Sequence, residues 1–417
     1  MADFRFVHAA DLHLDSPFKG LALGSAAERM RPLFAQATSR ALGRMVDLCL
    51  REKAAFLVLA GDLFDAKDRS VRARLALCRE LERLDRAGIR TFVVHGNHDP
   101  LGTLRPGAGL PPSVKVFGPE WEEVELKRGR ATLCRIQGVS YASEIVREDL
   151  SAQFARQGPE FTVGVLHANV GGDRAHANYA PCTTADLSER GLDYWALGHV
   201  HTRSVMRLEG GALAVYPGNP QGRHVNEPGP RGCALVEVRE GRAEARFVDL
   251  DVIRWHAVSV EVGGVASLEE LGERVEDQLR ELSGVEGVEG HAARITLCGR
   301  GAVHAELARP EALEQLEEAW RERFAALQPP WALEAVRDAT AADLDLVALR
   351  EGGGLLGEIL EAAANPAVPK ELWAEEELAK LARALERFKV PTPKEEAPAL
   401  LRAAAAAVVE RLMEEPA

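Results

Sequence analysis

Residues 56–65 read Phe-Leu-Val-Leu-Ala-Gly-Asp-Leu-Phe-Asp. A short run of consecutive apolar residues that ends in a glycine is typical of a strand buried on both faces. The aspartate at position 62 then lies at the carboxyl end of that strand, and the preceding glycine lets the backbone come close to other groups. Because ligands bind beyond the carboxyl ends of strands in open α/β sheets, this segment predicts a functional site at Asp62.

Four more segments share this design, in which a short apolar run ends in groups that are fit to bind metal. The apolar runs are residues 4–9, 91–95, 161–166 and 194–197. The polar segments that follow them are Asp11-Leu-His13, Gly96-Asn97-His98-Asp99, His167 and Gly198-His199-Val-His201. Five such strand ends would converge on one place, and the ordered set predicts a two-metal hydrolytic site.

The residue types at these strand ends suit divalent ions. Carboxylate and imidazole groups together hold Mn²⁺, Fe²⁺ or Zn²⁺, and we expect two ions, with Mn²⁺ as the first choice. Because side chains alternate along a strand, an Asp-x-His pair should place both groups on one side of the sheet. Two ions roughly 3.5–4 Å apart can share a carboxylate, clamp a phosphate and activate a water molecule. The predicted ligands of the first ion are Asp11, His13, Asp62 and His201. The predicted ligands of the second ion are Asp62, Asn97, His167 and His199.

Composition places the chain among globular proteins without a membrane segment. It has 417 residues, 46% of them hydrophobic and 28% charged, which predicts two or three domains. No apolar stretch is long enough to span a bilayer, and the six cysteines show no close pairs, so we expect a cytoplasmic protein with reduced thiols. The net charge of −13 gives no support of its own for nucleic-acid binding, which depends on Lys and Arg.

The chain divides into three predicted domains. Residues 1–253 alternate strand-like and helical runs, which indicates a layered α/β domain. Residues 254–350 read as a β-α-β-α-β unit, a small separate domain. Residues 351–417 contain a triple glycine at 352–354 and are then rich in Ala, Glu and Leu, which predicts a helical tail.

Two interpretations of this tail remain open. Apolar residues recur at steps of three and four in two helices, Leu378, Leu381, Leu385 and Phe388 in the first and Leu401, Ala405, Val408 and Leu412 in the second. The helices could pack back on their own protein, or they could form a hairpin that docks the coiled coil of a partner.

The order of the polar segments resembles that of the calcineurin-like metallophosphoesterases. The sequences of residues 10–14, 60–65, 96–99 and 216–224 are similar to motifs of DNA-repair nucleases of the SbcD type, and especially of their YhaO-like branch. The resemblance covers residues 4–250 well. It implies a layered α/β/β/α metallophosphoesterase sandwich with a small α+β capping domain that guides DNA, followed by a partner-docking helical tail.

The resemblance also assigns roles around the metals. It implies that His98 is not a ligand but contacts the scissile phosphate and helps the leaving oxygen depart. Further candidates for orienting ligands or contacting substrate are Asp15, Asp99, His176, Arg223 and His224. Asp65 stands where some relatives carry a histidine, and we assign it no catalytic role.

The leading hypothesis is a two-metal-dependent DNA exonuclease or endonuclease that acts in DNA repair. Its implied partner is an SMC-like coiled-coil ATPase of the SbcC or YhaN type, and a homodimer is a further expectation. One alternative is a phosphodiesterase or phosphatase for small nucleotides, which would not need the second domain or the tail. Another is a non-catalytic scaffold that binds DNA ends, against which stands the complete set of competent residues.

Overall fold

The structure, a computed structural model, describes residues 3–18, 20–21, 30–65, 70–102, 109–172, 177–364, 383 and 397–414 of the chain. These residues form two compact units. The first comprises the described residues up to Trp255, apart from Leu21, together with Glu286–His291. The second comprises His256–Val285 and the described residues from Ala292 onward, with Leu21. Among the described residues, no helix combines the length and apolar character needed to cross a membrane.

The first unit contains a six-stranded sheet that is parallel over most of its width. Its strands are β1 (Phe4–Ala9), β2 (Phe56–Ala60), β3 (Arg90–Val94), β4 (Val114–Val116), β11 (Gly232–Arg239) and β12 (Arg242–Asp249). They lie in the order β12-β11-β1-β2-β3-β4. Strands β1 to β4 are parallel, whereas β11 and β12 form an antiparallel pair that adds to β1.

A second six-stranded sheet belongs to the same unit. Its strands are β5 (Glu122–Arg128), β6 (Ala131–Gly138), β7 (Thr162–His167), β8 (Tyr194–Gly198), β9 (Ser204–Arg207) and β10 (Leu213–Tyr216). They lie in the order β5-β6-β7-β8-β10-β9, and β6, β7, β8 and β10 are parallel. The edge strand β9 is antiparallel to β10.

Aromatic side chains fill the space between the two sheets. Phe6 of the first sheet stacks on Phe56, with ring centroids 4.6 Å apart, and meets Tyr194 of the second sheet edge-on at 5.2 Å. Such pairs add to the stabilisation that burial of their surface already gives. His8 is also buried here, with Nδ1 3.0 Å from the Tyr194 hydroxyl and Nε2 3.2 Å from the carbonyl oxygen of Leu197.

Helices cover the outer faces of both sheets. Helix α1 (Arg31–Arg51) and helix α2 (Val71–Arg86) pack on the first sheet, and helix α3 (Thr184–Glu189) packs on the second. In α1 the buried residues, such as Ala41 and Met45, follow steps of three and four, so one apolar face meets the sheet. The resulting layers are α/β/β/α, and the predicted fold class is confirmed.

The second unit contains a three-stranded sheet with helices. Its strands are β13 (Ile253–Glu261), β14 (Gly290–Arg300) and β15 (Trp331–Ala341). Its helices are α4 (Leu268–Leu282), α5 (His304–Leu307) and α6 (Ala312–Ala325). Trp320, Phe324 and Trp331 are buried in its core together with apolar residues of α4 and β14. The order of strands and longer helices is the one expected from the sequence.

Three helices end the described chain, α7 (Leu346–Glu351), α8 (Gly354–Ala364) and α9 (Ala397–Glu414). A small core joins α8 to α9 through Leu360, Ala363, Ala405 and Val409. The expected stripe over 401–412 does not form one buried face, because Val408 and Leu412 are 47% and 44% exposed. The expected helix containing Leu378 and Phe388 lies outside the described residues.

Candidate metal centre

The five predicted segments come together at one edge of the first unit. The Asp11 carboxylate, after β1, accepts hydrogen bonds from the backbone N–H of His199, after β8, at 3.1 and 3.2 Å. His167, at the end of β7, places Nδ1 2.9 Å from the carbonyl oxygen of Ala60 at the end of β2. The carboxyl ends of parallel strands in both sheets therefore face the same site.

Unusual backbone conformations aim several of these side chains. Asp11, His13, Asp62 and His199 have φ angles of 54°, 40°, 53° and 99°, in a region that residues other than glycine rarely occupy. The alternation of an extended strand is therefore not what places Asp11 and His13 together, and that expectation was wrong. Such strain costs on the order of 1–3 kcal/mol per residue and is concentrated at functional sites. Hydrogen bonds from the backbone N–H groups of Asp11 and His13 to the segment after β2 hold the turn in place.

Two glycines make room for the cluster. A Cβ atom on Gly61 would lie 2.4 Å from Nδ1 of His167, and one on Gly96 would lie 2.3 Å from Oδ1 of Asp62. Gly61 also has a φ angle of 91°. Any larger residue at either position would push the histidine or the carboxylate out of place.

The first predicted ligand group is assembled as a compact set. Asp11, His13 and His201 place one potential ligand atom each within 4.8 Å of one another. The two Nε2 atoms of His13 and His201 are 3.3 Å apart, and Nε2 of His13 is 3.8 Å from Oδ2 of Asp62. Two imidazoles and a carboxylate this close together could hold one divalent cation.

The second predicted group lies on the other side of Asp62. Oδ2 of Asp62 is 3.5 Å from Nε2 of His167. The same nitrogen is 3.1 Å from Oδ1 of Asn97, which in turn is 3.2 Å from Nδ1 of His199. Asp62 thus has one carboxylate oxygen within 4 Å of a histidine from each group, as a bridging ligand requires.

The ionisation of these residues fits divalent cations. Burial, with the nearby Asp99 carboxylate, raises the pKa of Asp62 to about 7, and burial raises the pKa of Asp11 well above its usual range. Burial also lowers the pKa of His167 to about 4 and that of His13 well below its ordinary value. Neutral imidazoles are free to donate lone pairs, and crowded buried carboxylates are stabilised by a cation. The donor set therefore suits two divalent ions.

His98 lies in the same loop as Asn97, but its imidazole is partly exposed and lies beside Asp65. Its side chain is 48% exposed, and its Nδ1 lies 2.6 Å from Oδ1 of Asp65. The same carboxylate oxygen lies 3.3 Å from Nδ1 of the buried His13. The hydrogen bond with Asp65 raises the pKa of His98 and so favours its protonated form at this open side of the site. Burial alone would raise the pKa of Asp65, but hydrogen bonds with His13 and His98 outweigh it and lower that pKa.

Asp99 holds two loops together. It is fully buried, and its carboxylate accepts hydrogen bonds from the backbone N–H groups of Asp62, Leu63 and Gly96 at 3.1, 2.8 and 2.8 Å. The backbone N–H of His98 donates in turn to Oδ1 of Asp62 at 2.9 Å. These bonds fix the loop that carries His98 relative to the one that carries Asp62.

The remaining predicted residues occupy different surroundings. Arg223 donates from Nη1 to Asp65 at 3.3 Å, and His224 places Nε2 3.2 Å from Oε1 of Glu227. Asp15 instead forms hydrogen bonds with Arg72 and Ser70. His176 lies outside the described residues.

Sequence reasoning missed two carboxylates at the site. Asp65 received no role, yet it contacts His13, His98 and Arg223. Glu227 was not considered, yet its Oε1 lies 2.6 Å from Nδ1 of His201. A metal-binding histidine commonly donates its second ring N–H to a carboxylate, but no local pattern in the sequence indicates which carboxylate that is.

Comparison with known proteins identifies the family. Residues 4–203 match the calcineurin-like phosphoesterase family, and residues 255–341 match the middle domain of the metallophosphoesterase YhaO. A Bacillus subtilis (strain 168) protein described as the uncharacterized metallophosphoesterase YhaO is 38% identical over 289 residues, or 68% of this chain and 69% of that protein. The chain belongs to the calcineurin-like metallophosphoesterases, which confirms the resemblance and the expected class of metal-dependent phosphoesterase.

More distant relatives include archaeal proteins. The DNA double-strand break repair protein Mre11 of Sulfurisphaera tokodaii is 26% identical over 227 residues, which cover 52% of this chain and 58% of that protein. The chain thus spans little more than half the length of this relative. Among solved structures, a dimetal phosphatase from Danio rerio matches with a TM-score of 0.37 and 14% identity, covering 57% of this chain and 93% of that one.

Proposed function

We propose that this chain is a two-metal-dependent nuclease that hydrolyses phosphodiester bonds in DNA. The observation that supports the proposal best is the pair of adjacent ligand groups on either side of Asp62, with His98 exposed beside them. The proposed metal ligands are Asp11, His13, Asp62, Asn97, His167, His199 and His201. We propose Mn²⁺ at both positions, with Fe²⁺ or Zn²⁺ as alternatives.

The chain's own residues would divide the chemistry between them. When bound, a pair of divalent ions neutralises phosphate charge and lowers the pKa of a water molecule. Asp65 favours the protonated form of His98 at the open side, where its ring would donate a proton to the departing 3′ oxygen. Asp99 holds the loop that positions this histidine, so the donor is in place before substrate arrives.

The choice of DNA as substrate rests on relatives and on the size of the protein. Several archaeal relatives carry the name of a DNA double-strand break repair protein, and a phosphodiesterase for small nucleotides would have no evident use for the second unit and the tail. The net charge of −13 opposes a polyanion in general, but two bound ions would place four positive charges where the phosphate must lie.

An SMC-like coiled-coil ATPase is the proposed partner, and the tail is its proposed docking element. Leu355, Val408, Leu412 and Met413 of α8 and α9 are large apolar side chains that are 44–67% exposed. Large exposed apolar groups on neighbouring helices mark interaction sites. In this proposal residues 1–253 form the nuclease domain, 254–350 the DNA-guiding domain and 351–417 the docking tail.

The test combines metal titration with hydrolysis of three substrates, which are duplex DNA, a dinucleotide and bis(p-nitrophenyl) phosphate. We expect Mn²⁺ to saturate the full chain near two ions, and we expect Mn²⁺-dependent cleavage of end-labelled duplex DNA and of bis(p-nitrophenyl) phosphate. Asp62→Asn should abolish both activities, whereas the control Asp47→Asn, at an exposed position of α1 that pairs with Arg83, should leave them unchanged.

The outcomes separate the competing functions. Cleavage of a dinucleotide but not of duplex DNA would favour a small-nucleotide phosphodiesterase. Binding of DNA ends without hydrolysis of any of the three substrates in Mn²⁺, Fe²⁺ or Zn²⁺ would favour a non-catalytic scaffold. Full activity in excess chelator would overturn the proposed two-metal site itself.

A further inference from the structure

A cavity opens in the first unit, and none of the residues that line it is a candidate metal ligand. It has a volume of about 300 Å³ and lies between β9, the edge strand of the second sheet, and β12, the edge strand of the first. Its apolar lining includes Val205, Tyr216 and Phe247. The volume is at the small end of the range for ligand pockets, which suits one flat ring system.

Two arginines border this cavity. The guanidinium of Arg203 lies over the Phe247 ring, 4.4 Å from its centroid, and Arg246 lines the same opening from β12. Within the described part of the chain neither arginine forms an ion pair. By contrast, Arg135 contacts three glutamates and Arg254 two aspartates. Both side chains are exposed at the opening, so their charged groups are accessible to an external anion.

We propose that this cavity binds a nucleoside phosphate. The base would lie among the apolar side chains beside Phe247, and Arg203 and Arg246 would hold the phosphate at the opening. Bases stack favourably on aromatic rings and on guanidinium planes, and the Arg203 guanidinium over the Phe247 ring forms a stack that a base would extend. A purely apolar ligand would leave the arginines unused, and inorganic phosphate alone would leave the apolar lining unused.

The cavity adjoins the backbone of a candidate metal ligand. Arg203 follows His201 by two residues, and Pro217 lines the cavity next to Gly218. A Cβ atom on Gly218 would lie 2.6 Å from the carbonyl oxygen of His201 and 3.3 Å from the backbone nitrogen of Arg203. The ligand could therefore be a free nucleotide or, if the proposed nuclease function holds, one nucleotide unit of the strand that is cut. The chemistry that recognises it is the same in both cases.

The proposal can be tested by calorimetric titration of adenosine 5′-monophosphate into the full chain, both with Mn²⁺ and with a chelator. We expect binding under both conditions. Arg246→Gln and Arg203→Gln should each weaken it about tenfold or more, because each removes a charge-assisted hydrogen bond. Phe247→Leu should weaken it by removing the stacking surface. The control Arg242→Gln changes an exposed arginine of the same strand that does not line the cavity, and it should bind normally.

Competition identifies the source of the ligand. A short oligodeoxynucleotide that displaces the mononucleotide supports a strand-binding site, and failure to displace it supports a free nucleotide. The proposal is overturned if the mononucleotide does not bind, if inorganic phosphate binds equally well, or if the cavity variants bind normally. Hydrolysis of bis(p-nitrophenyl) phosphate, which is too small to span both sites, should persist in all variants. Loss of nucleotide binding is thereby distinguished from failure of the proposed nuclease function.

Discussion

Oε1 of Glu227 lies 2.6 Å from Nδ1 of His201, the ring nitrogen that points away from the other candidate metal ligands. Glu227 is buried, and its other carboxylate oxygen accepts hydrogen bonds from the backbone N–H of Arg223 at 2.7 Å and the Asn219 amide at 3.0 Å. The carboxylate is thus fixed from two sides. It directs Nε2 of His201 toward His13, as in the carboxylate–histidine pairs that support metal sites.

Replacing Glu227 with Gln should therefore weaken metal binding. Loss of such a supporting carboxylate typically reduces metal affinity or activity about 10–100-fold. We expect one of the two Mn²⁺ ions to bind that much more weakly in calorimetric titration, while the other is retained. Glu123→Gln is the matched control, since Glu123 lies on the edge strand β5, is largely buried and pairs with Arg135. Equal loss of affinity in both variants would mean that Glu227 acts only on general stability.

His98→Asn should slow catalysis and leave metal binding intact. The imidazole pairs with the Asp65 carboxylate and meets the His13 ring edge-on at 5.0 Å, but it belongs to neither proposed ligand group, so its removal deletes a proton donor. General acid–base catalysis contributes about 10²–10⁴-fold, and turnover of duplex DNA, whose 3′ oxygen needs a proton to depart, should fall by that factor. His304→Asn, in the second unit, serves as the control. If metal stoichiometry drops in the His98 variant, that residue is a ligand and the assigned role is wrong.

His8 should make the protein sensitive to acid. Burial lowers the pKa of its imidazole to about 3, against an ordinary value of 6.5, so the folded state favours the neutral ring. The contribution of His8 to stability is complete above pH 6.5 and is lost as the pH falls toward 3, by about 1.4 kcal/mol per pH unit. Urea unfolding at several pH values should show a shallower acid loss for His8→Gln than for the parent. Tyr194→Phe, which removes the neighbouring hydroxyl but no titrating imidazole, should retain the parent's slope.

Charged residues on the exposed side of α9 should disrupt partner binding without unfolding the protein. Val408→Glu combined with Leu412→Glu places charges where both side chains already contact solvent, so the free energy of unfolding should change by less than about 0.5 kcal/mol. Co-purification with an SMC-like ATPase from the same organism should be lost. Leu282→Glu, at an exposed position of α4, should co-purify normally.

Removal of the tail provides a second measurement of the same prediction. A chain that ends at Glu351 should keep metal-dependent hydrolysis of small phosphodiesters but lose the ATPase. Unfolding of the shortened chain, or undiminished binding by it, would show that α8 and α9 serve intramolecular packing. Glu410 of α9 already lies 3.6 Å from His304 and 3.9 Å from Arg300, so some intramolecular packing is present.

The strands followed from local patterns in the sequence, and the structure brings the polar groups after them close together, as expected. Apolar runs such as Phe56–Ala60 form strands at the expected positions, and a polar group follows each one. The arrangement in two facing sheets did not follow from those runs alone. It depends on contacts between distant residues, such as Phe6 with Tyr194, and entered only through the family resemblance.

The two carboxylates that support the site could not be predicted from local sequence patterns. Glu227 and Asp65 become significant only when the chain brings them to His201 and His98, 26 and 33 positions away. The left-handed backbone at Asp11 and His13 was equally hidden, since nothing in their residue types indicates it. Exposure of Val408 beside the buried Val409 likewise depends on which side of α9 meets α8.

The candidate ligands are drawn from both layers of the sandwich, with Asp11, Asp62 and Asn97 following strands of one sheet and His167, His199 and His201 those of the other. An ion shared by such a set would act as a reversible cross-link between the sheets. Because the unfolded chain cannot offer the same cage, each bound ion adds its binding free energy to the cohesion of the fold. The concentration of the metal would then govern the stability of the native state as well as the rate of hydrolysis.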